Sequence, residues 1–224
     1  MLLPMSDPAA AAKERAGRYA AGYVSDGMRV GLGTGSTVHY TIVALGERGL
    51  DITCTATSTR TEELARSLGL TLVTPDEIGR LDIAIDGADE VDPALNLTKG
   101  GGGALTREKV VAEMADRFVV VVDESKIVER LGPFGTPIEV LKFAPAVVAA
   151  RVRALGAVDV AYRDTPSDNG SLLADAHFGA IEDPVALAAG LAAIPGLVEH
   201  GLFSGTIVER VVVAGDAEVR ELTH

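Results

Sequence analysis

The run Phe118-Val119-Val120-Val121-Val122 has no polar face, and acids stand on either side of it at Asp116 and Asp123. A strand of that composition is stable only with both faces covered, the situation of a strand inside a parallel sheet with helices above and below. The segments before it supply such a sheet. A helical stretch from about Pro8 to Val24 leads to the strand-like Met28 to Leu32, a loop, and a helix from Val38 to Glu47. Ile52 to Thr55 reads as a second strand, Thr61 to Leu68 as a helix and Leu81 to Ile85 as another strand. This βαβ alternation predicts an α/β fold with a doubly wound, mostly parallel, Rossmann-like sheet.

The pattern changes at Gly132-Pro133-Phe134-Gly135-Thr136-Pro137, a Pro/Gly cluster of the kind that separates folding units. Beyond it come a strand from Ile138 to Leu141, a helix from Pro145 to Leu155 and a strand from Val158 to Arg163. After the turn Asp168-Asn169-Gly170 follow a strand from Leu172 to Ala176, a helix from Pro184 to Ala193 and a strand from Leu197 to Phe203. That order is βαββαβ, the ferredoxin-like α+β pattern. Val208 to Val213 is apolar again and is expected to return to the first sheet. The expected division is therefore a Rossmann-like domain of residues 1–132 plus 205–224, with a smaller α+β domain inserted over 133–204.

Composition narrows the partners. The chain has 224 residues, 47% of them hydrophobic, enough for a sizeable core. Its net charge of −12 argues against nucleic acid or an anionic membrane as partner, so a phosphate ligand would have to meet locally placed cations. Only five lysines occur: Lys13, Lys99, Lys109, Lys126 and Lys142. With Cys54 as the one cysteine, an intrachain disulfide and a cysteine metal cluster are excluded, and a reducing cytoplasm is the expected setting. The opening Met1-Leu2-Leu3-Pro4-Met5 is too short for a signal-peptide core, and no apolar run is long enough to span a bilayer.

Three loops carry the candidate chemistry. Gly31-Leu32-Gly33-Thr34-Gly35-Ser36-Thr37 lies between a strand and a helix, where glycines admit a close ligand and amides and hydroxyls can donate to an anion. It matches neither the dinucleotide fingerprint nor the phosphate-loop pattern, and a tight turn with a Ser/Thr cap is the plainer alternative. Asp86-Gly87-Ala88-Asp89-Glu90-Val91-Asp92 follows a strand, at the carboxyl end where open α/β sheets bind ligands. Its acids could serve Mg²⁺, sugar hydroxyls or only solvent; the spacing is not that of a calcium loop. Lys99-Gly100-Gly101-Gly102-Gly103 runs into a helix bearing Glu108 in its first turn. Consecutive glycines allow a bend whose amides face an anion, and Glu108 is either a helix-stabilising acid or a proton-transferring base. Lys126, just after the apolar strand, joins the same sheet edge or is a surface lysine.

Together Gly33-Thr34-Gly35-Ser36-Thr37, Asp86-Gly87-Ala88-Asp89-Glu90 and Lys99-Gly100-Gly101-Gly102 with Ala104 to Lys109 resemble ribose-5-phosphate isomerase, type A. The resemblance extends over nearly the whole chain, including Asp183-Pro184 to Gly201-Leu202-Phe203. It implies an aldose-ketose isomerase of the pentose phosphate pathway that interconverts D-ribose 5-phosphate and D-ribulose 5-phosphate through a cis-enediol, without metal or organic cofactor. It further implies Glu108 as the base between C2 and C1. Asp86 and Asp89 would hold sugar hydroxyls and assist proton movement at O1 and O5, with Lys99 beside the enediolate. The substrate-binding set it implies is Thr34, Gly35, Ser36, Thr37, Asp86, Gly87, Ala88, Asp89, Lys99, Gly100, Gly101, Gly102, Lys126 and Lys13. Ser36, Thr37, Lys13 and Lys126 would hold the phosphate, and a homodimer or tetramer would be the assembly. Two other readings fit the same kind of sheet: a non-catalytic sugar-phosphate sensor, which would normally carry a basic DNA-binding helix pair, and a related transferase or hydrolase.

Overall fold

A computed structural model of the chain describes residues 8–215 and 218–224. Its elements run α1 (Pro8–Ala21), β1 (Arg29–Leu32), α2 (Ser36–Arg48), β2 (Thr53–Ala56), α3 (Thr59–Ser67), β3 (Thr71–Leu72), α4 (Pro75–Ile78) and β4 (Ile83–Asp86). There follow β5 (Glu90–Val91), β6 (Leu97–Thr98), α5 (Leu105–Glu113), β7 (Phe118–Asp123) and β8 (Thr136–Val140). The chain closes with α6 (Pro145–Ala154), β9 (Asp159–Tyr162), β10 (Leu172–His177), α7 (Pro184–Ala192), β11 (Leu197–His200), β12 (Leu202–Phe203), β13 (Arg210–Ala214) and β14 (Val219–Leu222).

Seven strands form the main sheet in the order β14-β13-β7-β4-β1-β2-β3. Every neighbouring pair is parallel except β13 with the edge strand β14. The apolar run behaves as its composition requires. Val119 and Val121 of β7 pack with Ala16, Ala20, Ile42 and Leu45 from α1 and α2, while Phe118, Val120 and Val122 pack with Val111 and Ala112 of α5 on the opposite face. β1 and β4 are adjacent, and from β1 the chain moves outward to β2 and β3 before returning to β4 and β7. That reversal opens a crevice at the carboxyl ends of the strands.

The expected βαββαβ unit is present as β8, α6, β9, β10, α7 and β11, an antiparallel sheet in the order β11-β8-β10-β9 with its own core of Ile138, Val140, Val152, Ala174, Ala176 and Leu191. Local chemistry sets its helices: proline opens α6 and α7, and the Asp183 side chain accepts from the Ala186 amide at the start of α7.

Three expectations need correction. The Gly132 to Pro137 cluster is not a loose connection, because Thr136 and Pro137 are buried in β8 and the amides of Gly132 and Phe134 donate to Glu90 at 2.9 and 2.8 Å. The segment Leu197 to Phe203 is not one strand: β11 stays in the four-stranded sheet and β12 pairs with β6 in a separate sheet, β12-β6-β5. The chain divides at Gly201, where a Cβ would stand 2.1 Å from the Lys99 carbonyl, so only glycine permits the crossing. The first helix ends at Ala21 rather than Val24, ahead of Gly22. Val208 to Val213 does return to the first sheet, as β13 beside β7.

Candidate active site

The ends of β1, β4 and β6 bring the three loops together. Asp86 closes β4 and is 2% exposed. Its Oδ1 accepts from the amides of Thr34 at 2.9 Å and Gly87 at 2.7 Å. Gly33 makes that approach possible, since a Cβ there would lie 2.1 Å from the same oxygen.

Lys99 follows β6 and is 1% exposed. The pairing of β6 with β12, extended by the Lys99 amide donating to the Gly201 carbonyl at 2.8 Å, fixes where its side chain starts. Its Nζ donates to the Gly87 carbonyl at 2.5 Å and stands 3.1 Å from Asp86 Oδ2 and 3.2 Å from Glu108 Oε1. The ring of Phe203 lies beneath it, 5.5 Å from Nζ to the centroid.

Glu108 sits in the first turn of α5, also buried. Its Oε2 has no hydrogen-bond partner among the described residues, and neither does Asp86 Oδ2. Burial, and after it the charge of Asp86, push the Glu108 carboxyl up to about 8 against the opposing pull of Lys99. Burial also raises Asp86, with Lys99 again opposing. For Lys99 burial favours the neutral amine, but Asp86 and Glu108 outweigh it and the ammonium is held. The cluster is therefore one buried cation between two carboxyls held above their ordinary range, of which Glu108 keeps its proton to about 8. It suits an acid–base group that must exchange protons there.

The glycines after Lys99 form a tight turn: Gly100 has φ 106°, and the Gly103 amide donates to the Gly100 carbonyl at 2.9 Å. Half-buried Asp89 accepts from the Gly101 amide at 2.7 Å. Across the opening, α2 begins at Ser36 behind Gly35, which supplies no side-chain cap. Its first-turn amides therefore carry no side-chain cap, and Ser36 and Thr37 line the cavity below, an arrangement suited to an anion at a helix N-terminus. Lys13 lies 3.6 Å from Asp123, whereas Lys126 makes no ion pair within 4.0 Å among the described residues.

A cavity of about 160 Å³ joins these groups, lined by Lys13, the Thr34 to Thr37 loop, Gly87 to Asp89, Lys99 to Gly102, Glu108 and Lys126. Asp86 alone of the expected residues does not line it, standing behind Lys99 instead. Thr34 lines it, yet its hydroxyl is turned to Thr57, Ser58 and Thr61. The other two acids of the second loop have structural duties. Glu90 takes the amides of Gly132 and Phe134, and Asp92 those of Ala94 and Asn96. Among the described residues no three His, Cys, Asp or Glu side chains converge as a metal-ligand set.

Several nearby groups escaped sequence reasoning. Arg60 and His39 line a neighbouring cleft that shares Lys13 and Ser36. Lys109 donates to Glu199 and to the His200 carbonyl, both at 2.6 Å, tying α5 to β11. Arg163 of the smaller sheet reaches the glycine turn. These partners are separated by 60 or more residues, so no local spacing announces them.

Comparison with known proteins finds relatives over nearly the whole chain. The family model described as ribose 5-phosphate isomerase A (phosphoriboisomerase A) matches residues 53–218. The chain is 48% identical over 224 residues to the ribose-5-phosphate isomerase A of Sinorhizobium fredii, covering 94% of this chain and 96% of that one. It superposes with a TM-score of 0.90 and 38% identity on ribose 5-phosphate isomerase A from Methanocaldococcus jannaschii, over 96% of this chain and 99% of that chain. A D-ribose-5-phosphate isomerase in complex with phospho-erythronic acid matches with a TM-score of 0.91 and 37% identity, over 96% and 98% of the two chains. With the family model matched over residues 53–218 and a relative 48% identical over 94% of this chain, the chain belongs to the ribose 5-phosphate isomerase A family.

Proposed function

We infer that this chain interconverts D-ribose 5-phosphate and D-ribulose 5-phosphate by proton transfer between C2 and C1, with Glu108 as the base. The observation that carries the assignment of roles is the buried Lys99 ammonium 3.2 Å from the Glu108 carboxyl, on one wall of a cavity whose far side is a helix N-terminus with two cationic side chains nearby. A proton α to a carbonyl is weakly acidic. Its removal needs a carboxylate within hydrogen-bond reach and a positive group where charge develops on oxygen. Glu108 Oε2, without a protein partner, is free to take the C2 proton and return it to C1. Lys99 and the glycine-turn amides stabilise the enediolate oxygens, while Ser36, Thr37, Lys13 and Lys126 hold the phosphate.

Asp89 is the carboxylate open to sugar hydroxyls and to the proton movements of ring opening. Asp86 has one oxygen engaged by two amides and the other facing Lys99, so it contributes by positioning that ammonium. A sensor needs no buried, proton-holding carboxyl beside its ligand, and the catalyst is favoured on that ground. Residues 133–204 serve as lid and oligomerisation unit beside a catalytic unit of 1–132 and 205–224. The exposed Phe143, Val147 and Val158 of that smaller unit support assembly into a homo-oligomer. Cytoplasmic placement is supported by the single cysteine, and no helix among the described residues is long and apolar enough to cross a membrane.

The test is ribose 5-phosphate incubated with purified protein in D₂O, with and without chelator. Formation of ribulose 5-phosphate with solvent deuterium entering at carbon, unchanged by chelator, is expected. Saturable binding of pentose phosphates without turnover would replace the catalyst with the sensor.

A further inference from the structure

The smaller sheet contributes one side chain to the catalytic edge. Arg163, directly after β9, is held flat by Asp175 of β10, with Nε 2.8 Å from Oδ2 and Nη2 2.5 Å from Oδ1. Such a two-point pair fixes the guanidinium plane. Its remaining arm, Nη1, donates to the carbonyls of Gly100 at 2.9 Å and Gly101 at 3.3 Å. A trans peptide points its carbonyl and its following amide in opposite directions. Drawing both carbonyls toward Arg163 therefore turns the Gly101 and Gly102 amides the other way. The Gly101 amide is found there donating to Asp89. The Gly102 amide has no acceptor among the described residues, and Gly102 lines the cavity.

We propose that Arg163 is a positioning residue for the isomerisation: by holding the Gly100 and Gly101 carbonyls it presents the Gly102 amide, polarised by a cation behind it, to the developing enediolate oxygen. Four adjacent glycines would otherwise sample many conformations, and a donor is effective only when fixed before charge develops. Asp175 completes the device by fixing the guanidinium. The inference rests on the isomerase reading above, and the two can fail separately.

The experiment compares wild type, Arg163→Lys, Arg163→Met and Asp175→Asn for turnover of ribose 5-phosphate and for inhibition by 4-phospho-erythronate and by inorganic phosphate. The erythronate carboxylate puts negative charge where the enediolate carries it, whereas inorganic phosphate reports only the distal subsite. Loss of one preorganised donor is worth up to about 10²–10³ in kcat. For Arg163→Met we expect a fall of about 10- to 100-fold in kcat, KM within about threefold, and inhibition by 4-phospho-erythronate weakened by a similar factor. Inhibition by inorganic phosphate is expected to stay unchanged. Asp175→Asn should show a smaller loss of the same kind, and added guanidinium should partly restore Arg163→Met. Equal weakening of both inhibitors, or kcat kept within threefold in well-folded Arg163→Met and Arg163→Lys, would overturn the proposal. Absence of wild-type turnover would instead remove the isomerase reading itself.

Discussion

Replacing Glu108 by glutamine separates what the site costs the fold from what it gives the reaction. The carboxyl is raised from an ordinary 4.5 to about 8, first by burial and then by Asp86. The native state thus binds this proton more tightly than the unfolded chain does. The stability linked to it is complete below pH 4.5 and is lost as pH rises through about 8. At about 1.4 kcal/mol per pKa unit, the cost of ionising Glu108 is capped near 5 kcal/mol, of which about 3 kcal/mol is felt at pH 7. Glutamine is neutral and nearly isosteric, but it loses the contact with Lys99, so a net gain of about 1–3 kcal/mol is expected at pH 7 to 8. In a chain of this size that corresponds to a rise in Tm of about 3–10 °C. The measurement is thermal and urea unfolding of both proteins at pH 5, 7 and 8, alongside kcat. The variant should gain on wild type as pH rises while kcat falls about 10³-fold, because the carboxylate proposed to take the C2 proton has gone. A stability gap that stays constant with pH, or shrinks, would refute the argument that Glu108 is held protonated by its surroundings. Retention of kcat within tenfold would remove Glu108 as the base.

Other perturbations have equally definite outcomes. Lys99→Met leaves two buried carboxyls unpaired, so it should lose about 3–5 kcal/mol at pH 8 and less at pH 5, where Glu108 holds its proton; urea midpoints at the two pH values test this. Gly33→Ala puts a methyl 2.1 Å from Asp86 Oδ1, and should cost about 1–3 kcal/mol in unfolding and lower kcat as Lys99 loses its alignment. Ser36→Ala and Lys126→Met should each raise KM for ribose 5-phosphate about tenfold, with kcat within threefold in steady-state assays, since phosphate contacts are made alike in ground and transition states. For wild type, kcat/KM should climb with pH up to about 8 as Glu108 ionises, and a pH–rate profile reads this directly.

Much of this was readable in the chain. Periodicity gave the parallel sheet, the inserted βαββαβ unit and the return of β13, because those depend on runs of neighbours. It failed on the shortest strands: β3, β5 and β6 have two residues each and β14 four, too few to carry a period of their own, and the break between β11 and β12 follows from Gly201 crowding the Lys99 backbone. The loops at the strand ends were also legible, since glycine, hydroxyl and acid clusters stand out at short range. Their internal division of labour was not. Nothing in Asp86-Gly87-Ala88-Asp89-Glu90-Val91-Asp92 distinguishes the carboxylate behind Lys99 from the one on the cavity wall, or from the two that hold loops.

The amino-acid order alone determined that a doubly wound sheet would present three glycine-rich or acidic loops and a lysine at one edge, because side-chain pattern dictates which faces are buried and strand direction dictates where loops emerge. Only the tertiary structure decided the charge state of the site and the reach of the smaller sheet into it. A protonation equilibrium depends on burial and on every charge within a few ångströms, and Lys99, Asp86, Glu108 and Arg163 become neighbours only when the sheets close around them.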